Sequence, residues 1–369
     1  MQLLLIQPAT KQVQDLGTWP PTESTPLPRP EAGAFYWLSC ERSEFEAQLP
    51  AVQPLLLSLC GTPLVDLHIS DLLNAHIPST FDYTSDYDVL VFRRLDLPQA
   101  KAPSTTKGLP TAPVGFAVFD EILLSVHPSA CPVREHYLQR LLSPAGTFPE
   151  KRSAGSRLPP SSADLMLRQI DQMVDGYQSL RRDMAKQIDG WQMALLNPKS
   201  RFNDWAEVLQ ARLGLHQLDE ICEDQRSAVQ DWIDSLDGWS SEDSSKTARR
   251  ALELLRVRSR DVLEHIERVI HHVHRMEQSA EAAMQMHFSA QSNRANDIMR
   301  TLTTLTAIFL PLNLIAAVFG MNFDVLPLVH KEDGFWWAMG AMGLIGLVLL
   351  VFFWRRRYIE KDSLLGNND

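Results

Sequence analysis

The chain has 369 residues, with 35 Lys plus Arg against 45 Asp plus Glu and a net charge of -10. That length allows a sizeable core and two domains, and the acidic balance argues against a nucleic-acid backbone as partner while suiting cations. The cysteines Cys40, Cys60, Cys131 and Cys222 form no CxxC pair, so they read as reduced core thiols, not as a disulfide framework or a zinc ribbon.

The opening MQLLLIQPATKQ lacks a basic n-region and a small-residue cleavage site, and it reads as a strand. Over residues 1–160 strand-like and helical pieces alternate: AFYWLSC, the helix-like PLVDLHISDLLNAH, then DVLVFRRL and GFAVFDEILLSVH. Val89–Leu95 and Gly115–Val126 are rich in Val, Phe, Ile and Leu over strand lengths, which predicts a mixed α/β domain. Pro-rich punctuation marks its loops, and SPAGTFPEKRSAGSRLPPSS forms the seam with a helical region.

From Ser161 the pattern becomes helical. One helix runs to Asn197, where Asn-Pro ends it, a second covers Phe202 to Trp239, and DGWSSEDSS turns into a third. The third meets no breaker before Pro311. Its apolar positions Val262, Ile266, Val269, Val273, Met276, Ala280 and Ala283 fall at alternating steps of 4 and 3, a seam for another helix. From Ser244 to Gly320 such a rod is about 110 Å long at helical rise.

Two uncharged runs, Thr301 to Gly320 and Phe335 to Trp354, each reach the roughly 30 Å of a bilayer core when helical. Arg294 and Arg300 precede the first, while Arg355, Arg356, Arg357 and Lys361 follow the second. The loop between, with Asp324, Lys331, Glu332 and Asp333, is net negative. The positive-inside rule therefore places both termini in the cytoplasm, and Trp336, Trp337 and Trp354 suit interfacial anchoring. This predicts a two-span protein of the inner (cell) membrane.

Projected at helical period, the first span carries one stripe: Met299, Thr303, Thr306, Leu310, Asn313, Ala317, Gly320. Lipid cannot satisfy its polar side chains, so the stripe must meet another helix or water. Helix packing through Thr and Asn is the plain reading. Several copies of this span would alternatively line a cation pathway, with polar rings alternating with apolar ones. The second span has no polar stripe.

The segment NDIMRTLTTLTAIFLPLNLIAAVFGMNF, Asn296 to Phe323, resembles the signature region of the CorA-type magnesium transporters, the two-membrane-helix GxN superfamily that includes ZntB-type zinc transporters. The resemblance implies an α+β cytosolic domain, a long stalk helix and two transmembrane helices, assembled as a funnel-shaped homopentamer. Its segments would be a cytosolic α/β domain (1–160), a helical stalk region (161–298), a pore-lining span (299–320), an external GMN loop (321–334), a second span (335–354) and a basic tail (355–369). Gly320, Met321 and Asn322 would form the selectivity filter, where an amide ring and main-chain carbonyls hydrogen-bond the water shell of Mg²⁺ without gripping the metal. Asn296 would form a polar ring at the cytoplasmic pore end. Met299, Leu302 and Leu310 resemble the constrictions, and Thr303, Thr306 and Asn313 the polar lining. Mg²⁺ would be substrate and regulator, with no organic cofactor; the partners would be further copies of the chain, lipid and divalent cations.

By the same resemblance, RDVLEH (Arg260 to His265) carries a regulatory carboxylate, Asp261, and Asp96 is the best local partner. Asp261, His265 and His272 share a helix face whose donors suit Zn²⁺, although the spacing alone gives no tetrahedral set. The loop FDVLPLVHKEDGFWW departs from the acidic, proline-containing loop of many magnesium transporters and is similar to ZntB-type loops ending in GFWW. Proton-coupled Zn²⁺ transport, like Co²⁺ or Ni²⁺ transport, therefore stays open. A membrane-anchored oligomeric sensor or scaffold is the alternative from another class. No nucleophile elbow, Walker loop, HExxH or dinucleotide fingerprint speaks for an enzyme.

Overall fold

The computed structural model describes residues 1–21, 27–96, 109–143, 158–196, 205–239, 246–321 and 333–355. Asn322, most of the connecting loop (322–332) and the basic tail beyond Arg355 lie outside the described residues. The chain divides into two compact units, Met1–Glu281 and Ala282–Asp369.

In the first unit, alternating apolar stretches build a seven-stranded sheet. Its strands are β1 (Gln2–Gln7), β2 (Gln12–Thr18), β3 (Phe35–Glu41), β4 (Thr80–Tyr83), β5 (Asp88–Leu95), β6 (Thr111–Val118) and β7 (Ile122–His127), in the order β2-β1-β3-β7-β6-β5-β4. Among these strands only β3 and β7 run parallel. Such a pair needs a crossover, and the chain between them supplies α1 (Arg42–Cys60), α2 (Asp66–Leu73) and three antiparallel strands. The opening MQLLLIQ does form a strand. The apolar run Gly115–Val126, in contrast, is two strands of a hairpin: it turns at Phe119 to Glu121, where the Phe119 N–H donates to Ile122 O at 3.0 Å. Charged Asp120 and Glu121 are the only sequence mark of that turn.

The sheet is covered on both faces, so its central strands are apolar on both sides. On one face Tyr36, Leu38, Val89, Leu124 and Val126 pack with Phe45, Leu56 and Leu72 of α1 and α2. On the other, Phe35, Trp37, Leu90, Phe92 and Phe116 meet α3 (Pro132–Leu142), α4 (Ser162–Leu196), α5 (Trp205–Gly238) and the first part of α6 (Lys246–Phe319). The helical stretch after Ser161 thus shares one core with the sheet. The stalk seam is as spaced: Val262, Ile266, Val269 and Val273 are buried, with Met276 and Ala280 packed at its edge.

Polar contacts hold this layer in register. Trp232 Nε1 donates to Ser259 Oγ at 2.9 Å, Tyr177 Oη to Arg93 O at 2.9 Å, and Arg258 pairs with Asp164. Cys40, Cys131 and Cys222 are buried, Cys60 is half-buried, and all four are free thiols. Burial pushes the Cys40 thiol up to about 12, which leaves it inert at neutral pH.

The second unit contains the rest of α6 and α7 (Gly334–Arg355). These two helices are long and apolar enough to cross a membrane, at the positions the uncharged runs mark. The helix continues through Pro311, whose missing N–H removes one rung of the ladder.

Candidate functional site

Period and burial together sort the faces of the first span. Thr304 is buried, and Ala307, Ile308, Pro311, Leu312 and Ile315 are half-covered. Facing them on α7 lie Gly334, Ala338, Met342, Gly346 and Leu349, which are likewise covered. Close approach is built from small residues: a Cβ on Gly346 would lie 3.9 Å from Leu312 Cδ1. Near the loop end the two helices frame a cavity of about 320 Å³ lined by Ile315, Ala316, Phe319, Phe335, Ala338 and Met342.

The stripe Met299, Thr303, Thr306, Leu310, Asn313, Ala317, Gly320 is exposed along its whole length. Asn296 and Leu302 beside it are exposed as well. The polar side chains are therefore not consumed by packing between the chain's own two spans.

How the threonines bond decides what that face offers. Thr303 Oγ1 donates to Met299 O at 2.7 Å and Thr306 Oγ1 to Leu302 O at 2.9 Å. Both hydroxyl protons are spent on the helix's own carbonyls, which is how such a residue is tolerated at membrane depth. What remains on each oxygen is acceptor capacity, and Asn313 adds an amide with an acceptor oxygen. A hydrated cation turns its water oxygens inward and presents water protons outward as donors. A column of acceptors can take those protons without replacing the waters.

The loop end of the span is shaped for backbone exposure. Gly320 N–H is shared between Ala316 O at 3.0 Å and Ala317 O at 3.2 Å, and Met321 N–H reaches Val318 O at 3.3 Å. A Cβ on Gly320 would stand 3.2 Å from Ala316 O, so any side chain there would crowd this tightened last turn. Asn322, the third residue of the motif, lies outside the described residues.

The two carboxylates expected to act in regulation each have a basic neighbour. Asp96 follows β5 and pairs with Arg94 at 2.9 Å. Asp261, exposed on α6, is 3.7 Å from His265 Nε2, while His265 Nδ1 lies 3.3 Å from Asp171 on α4. Neither carboxylate pairs with the other in one chain. Sequence reasoning missed Asp171, whose carboxyl is raised by burial and then by the neighbouring charge of Asp175, with His265 opposing. Its only signal is its place in the α4–α6 packing, which spacing within one helix cannot reveal.

His272 does not join Asp261 and His265: it turns to Arg275, and among the described residues no group of three or more His, Cys, Asp or Glu could hold a metal. Positions i and i+11 share a face but stand about 16 Å apart along the axis, so a common face does not bring the donors to one ion.

An α/β/α domain whose last helix runs on into an apolar span, followed by a second span after a Gly-Met turn, defines a class of two-span membrane proteins. Within that class, the chain belongs to the family described as CorA-like Mg²⁺ transporter protein, whose sequence profile matches residues 33–357. It is similar to the cobalt/magnesium transport protein CorA of Thermotoga maritima, 29% identical over 100 residues, 27% of this chain and 28% of that protein. The magnesium transport protein CorA of Haemophilus influenzae is 30% identical over 101 residues, 27% of this chain and 32% of that protein. These matches thus span about a third or less of the relatives' length.

Two solved structures share the fold over nearly the whole chain. The CorA magnesium transporter of Methanocaldococcus jannaschii has a TM-score of 0.63 at 16% identity, covering 96% of this chain and 98% of that one. The full-length CmaX protein has a TM-score of 0.62 at 15% identity, covering 97% of both chains.

Proposed function

We propose that this protein carries divalent cations, foremost Mg²⁺, across the inner membrane through a pore lined by the first spans of five copies. The observation that carries this reading is the exposed stripe of acceptor oxygens on α6, turned away from α7 and leading to Gly320 and Met321. Mg²⁺ dehydrates reluctantly, so a lining that bonds its water shell passes the ion faster than one that must strip it. Asn322, placed by sequence directly after that tightened turn, supplies an uncharged ring that selects without trapping. Met299, Leu302 and Leu310 alternate with the polar rings as apolar constrictions. Flow follows the electrochemical gradient, with both termini cytoplasmic.

Regulation in this reading falls to Asp261 and Asp96, bridged between neighbouring copies by cytosolic Mg²⁺. Each already has a basic partner, Arg94 for Asp96 and His265 for Asp261. The ion must displace those contacts, and that competition keeps the site weak enough to follow a changing concentration. Neutralising carboxylates across an interface then favours the closed assembly.

The test is ion uptake into proteoliposomes loaded with Mg²⁺- or Zn²⁺-sensitive dye, wild type beside Asn322→Ala, with and without a pH gradient. Mg²⁺ uptake that is lost in the variant and indifferent to pH is the expected result. Zn²⁺ uptake driven by protons would instead assign the protein to the zinc-type branch. Absence of flux for either ion from an intact oligomer would sink the pore reading and bring the sensor forward.

A further inference from the structure

Where α6 enters its apolar span, Thr301, Thr303, Thr304 and Thr306 follow one another closely. Each turns its hydroxyl back onto the carbonyl one turn earlier. Thr301 Oγ1 donates to Asp297 O at 2.9 Å, Thr303 Oγ1 to Met299 O at 2.7 Å, Thr304 Oγ1 to Arg300 O at 2.8 Å and Thr306 Oγ1 to Leu302 O at 2.9 Å. A carbonyl drawn toward a hydroxyl tilts off the helix axis, its own N–H rung lengthens, and the helix bows with that side convex. One such bond is a small perturbation. These lie on neighbouring rungs, and Pro311 beyond them deprives Ala307 O of its usual N–H donor. The ladder is thus weakened from Asp297 to Pro311.

The placement of the hydroxyls matters as much as their number. At 3.6 residues per turn, positions two apart stand about 200° apart around the axis. Thr303 and Thr306 belong to the exposed stripe, so Thr301 and Thr304 lie nearly opposite them, and Thr304 is buried. One pair bows the helix toward the stripe and the other bows it away. Threonine in a helix divides between two χ1 rotamers, since its Oγ1 can bond the preceding turn, so a side-chain rotation releases either bow. Ser259 in the stalk shows the contrast. Its Oγ bonds Leu255 O at 3.0 Å in the same manner, yet it is fully buried and accepts from Trp232, so core packing fixes the backbone there. Thr301, Thr303 and Thr306 are exposed and have no such support.

We propose that Thr301 to Pro311 is a hinge in the membrane part of α6, its bend set by which of two opposed threonine pairs holds its carbonyls. With Thr301 and Thr304 bonded and the stripe pair released, the stripe becomes concave and draws back. With Thr303 and Thr306 bonded alone, the stripe becomes convex and advances. The consequence for ion flow rests on the pore reading of the stripe; the hinge itself does not.

Hydrogen–deuterium exchange, read by mass spectrometry on the full-length protein in detergent, tests the hinge. Thr301→Val/Thr304→Val keeps the branched shape, removes both hydroxyls and takes no oxygen from the stripe. Exchange over the peptide spanning Thr301 to Leu310, corrected for intrinsic rates, is expected to slow about threefold or more, because two rungs tighten. Thr301→Ser/Thr304→Ser, which retains the hydroxyls, should stay within about twofold of wild type, and so should Asn322→Ala. Mg²⁺ uptake into proteoliposomes should fall in the valine variant and return in the serine variant. Unchanged exchange in the valine variant would overturn the hinge, as would equal slowing in the serine variant, since the hydroxyl would then not be the cause. Slowed exchange in the valine variant together with wild-type uptake would remove the hinge from conduction. Slowed exchange in a protein whose wild type passes neither Mg²⁺ nor Zn²⁺ would leave the hinge standing and sink the pore reading alone.

Discussion

In the first half of α6, Val262, Ile266, Val269 and Val273 are buried in the core with α4 and α5; in its second half, Leu305 and Phe309, off the polar stripe, keep 53% and 52% of their surface exposed. Both halves are regular helix with apolar residues at helical spacing. The difference lies in the solvent. In water, each exposed Å² of apolar surface costs about 25 cal/mol, so the first half must be packed. In hydrocarbon that cost vanishes, and the polar stripe becomes the part that needs a partner. Burial therefore reports importance in the first unit, whereas in the second the informative residues are exposed polar ones.

That contrast can be broken by substitution, and its largest consequence is functional. Asn322→Ala should reduce Mg²⁺ uptake into proteoliposomes to the level of protein-free vesicles while the oligomer elutes normally in size-exclusion chromatography. Retained uptake would mean that the motif ends a helix and does nothing more.

Next comes packing in the first unit. Trp232 is fully buried, edge-on to Phe81 and hydrogen-bonded to Ser259, so Trp232→Ala should cost about 3–5 kcal/mol of stability, read by thermal or denaturant unfolding. A loss under about 1 kcal/mol would contradict the packing of α5 onto the sheet.

A smaller effect, with a sign set by pH, belongs to Asp88 at the start of β5. Burial, reinforced by Asp120, pushes its carboxyl from 3.8 up to about 7. The folded protein thus binds a proton that the unfolded chain releases, and this contribution to stability drains away as pH rises from about 4 through about 7. Asp88→Asn should gain on wild type across that window and hold a constant advantage above it. A constant difference at every pH in a Tm series would show that the carboxyl does not titrate there.

The smallest effect sharpens the comparison from the membrane side. Leu344 on α7 is 67% exposed, and Leu344→Ala should change stability in detergent by no more than about 0.5 kcal/mol. A Trp232-sized loss would mean that this face is packed against protein.

Much of this architecture was legible in the residues. The two spans follow from uncharged runs of fixed length, because only a helix satisfies its own backbone in lipid. The stalk seam follows from the 4-and-3 spacing ending at Ala283, and the first strand from MQLLLIQ. The hairpin inside Gly115–Val126 was hidden because a sheet covered on both faces erases the alternation that would mark each strand. The carbonyl bonding of Thr303 and Thr306 was hidden for another reason: a hydroxyl's partner depends on its rotamer, which sequence does not state.

By itself, then, the sequence determined which segments after Ser161 are helical, which stretches suit lipid and where the Gly-Met-Asn motif falls, since these depend on local composition and period. Only the tertiary structure decided which face of the first span α7 covers and that Asp171 stands beside His265. Those facts depend on how far one helix is slid and rotated against another. The offset is settled by the summed packing of many side chains and written in no single segment.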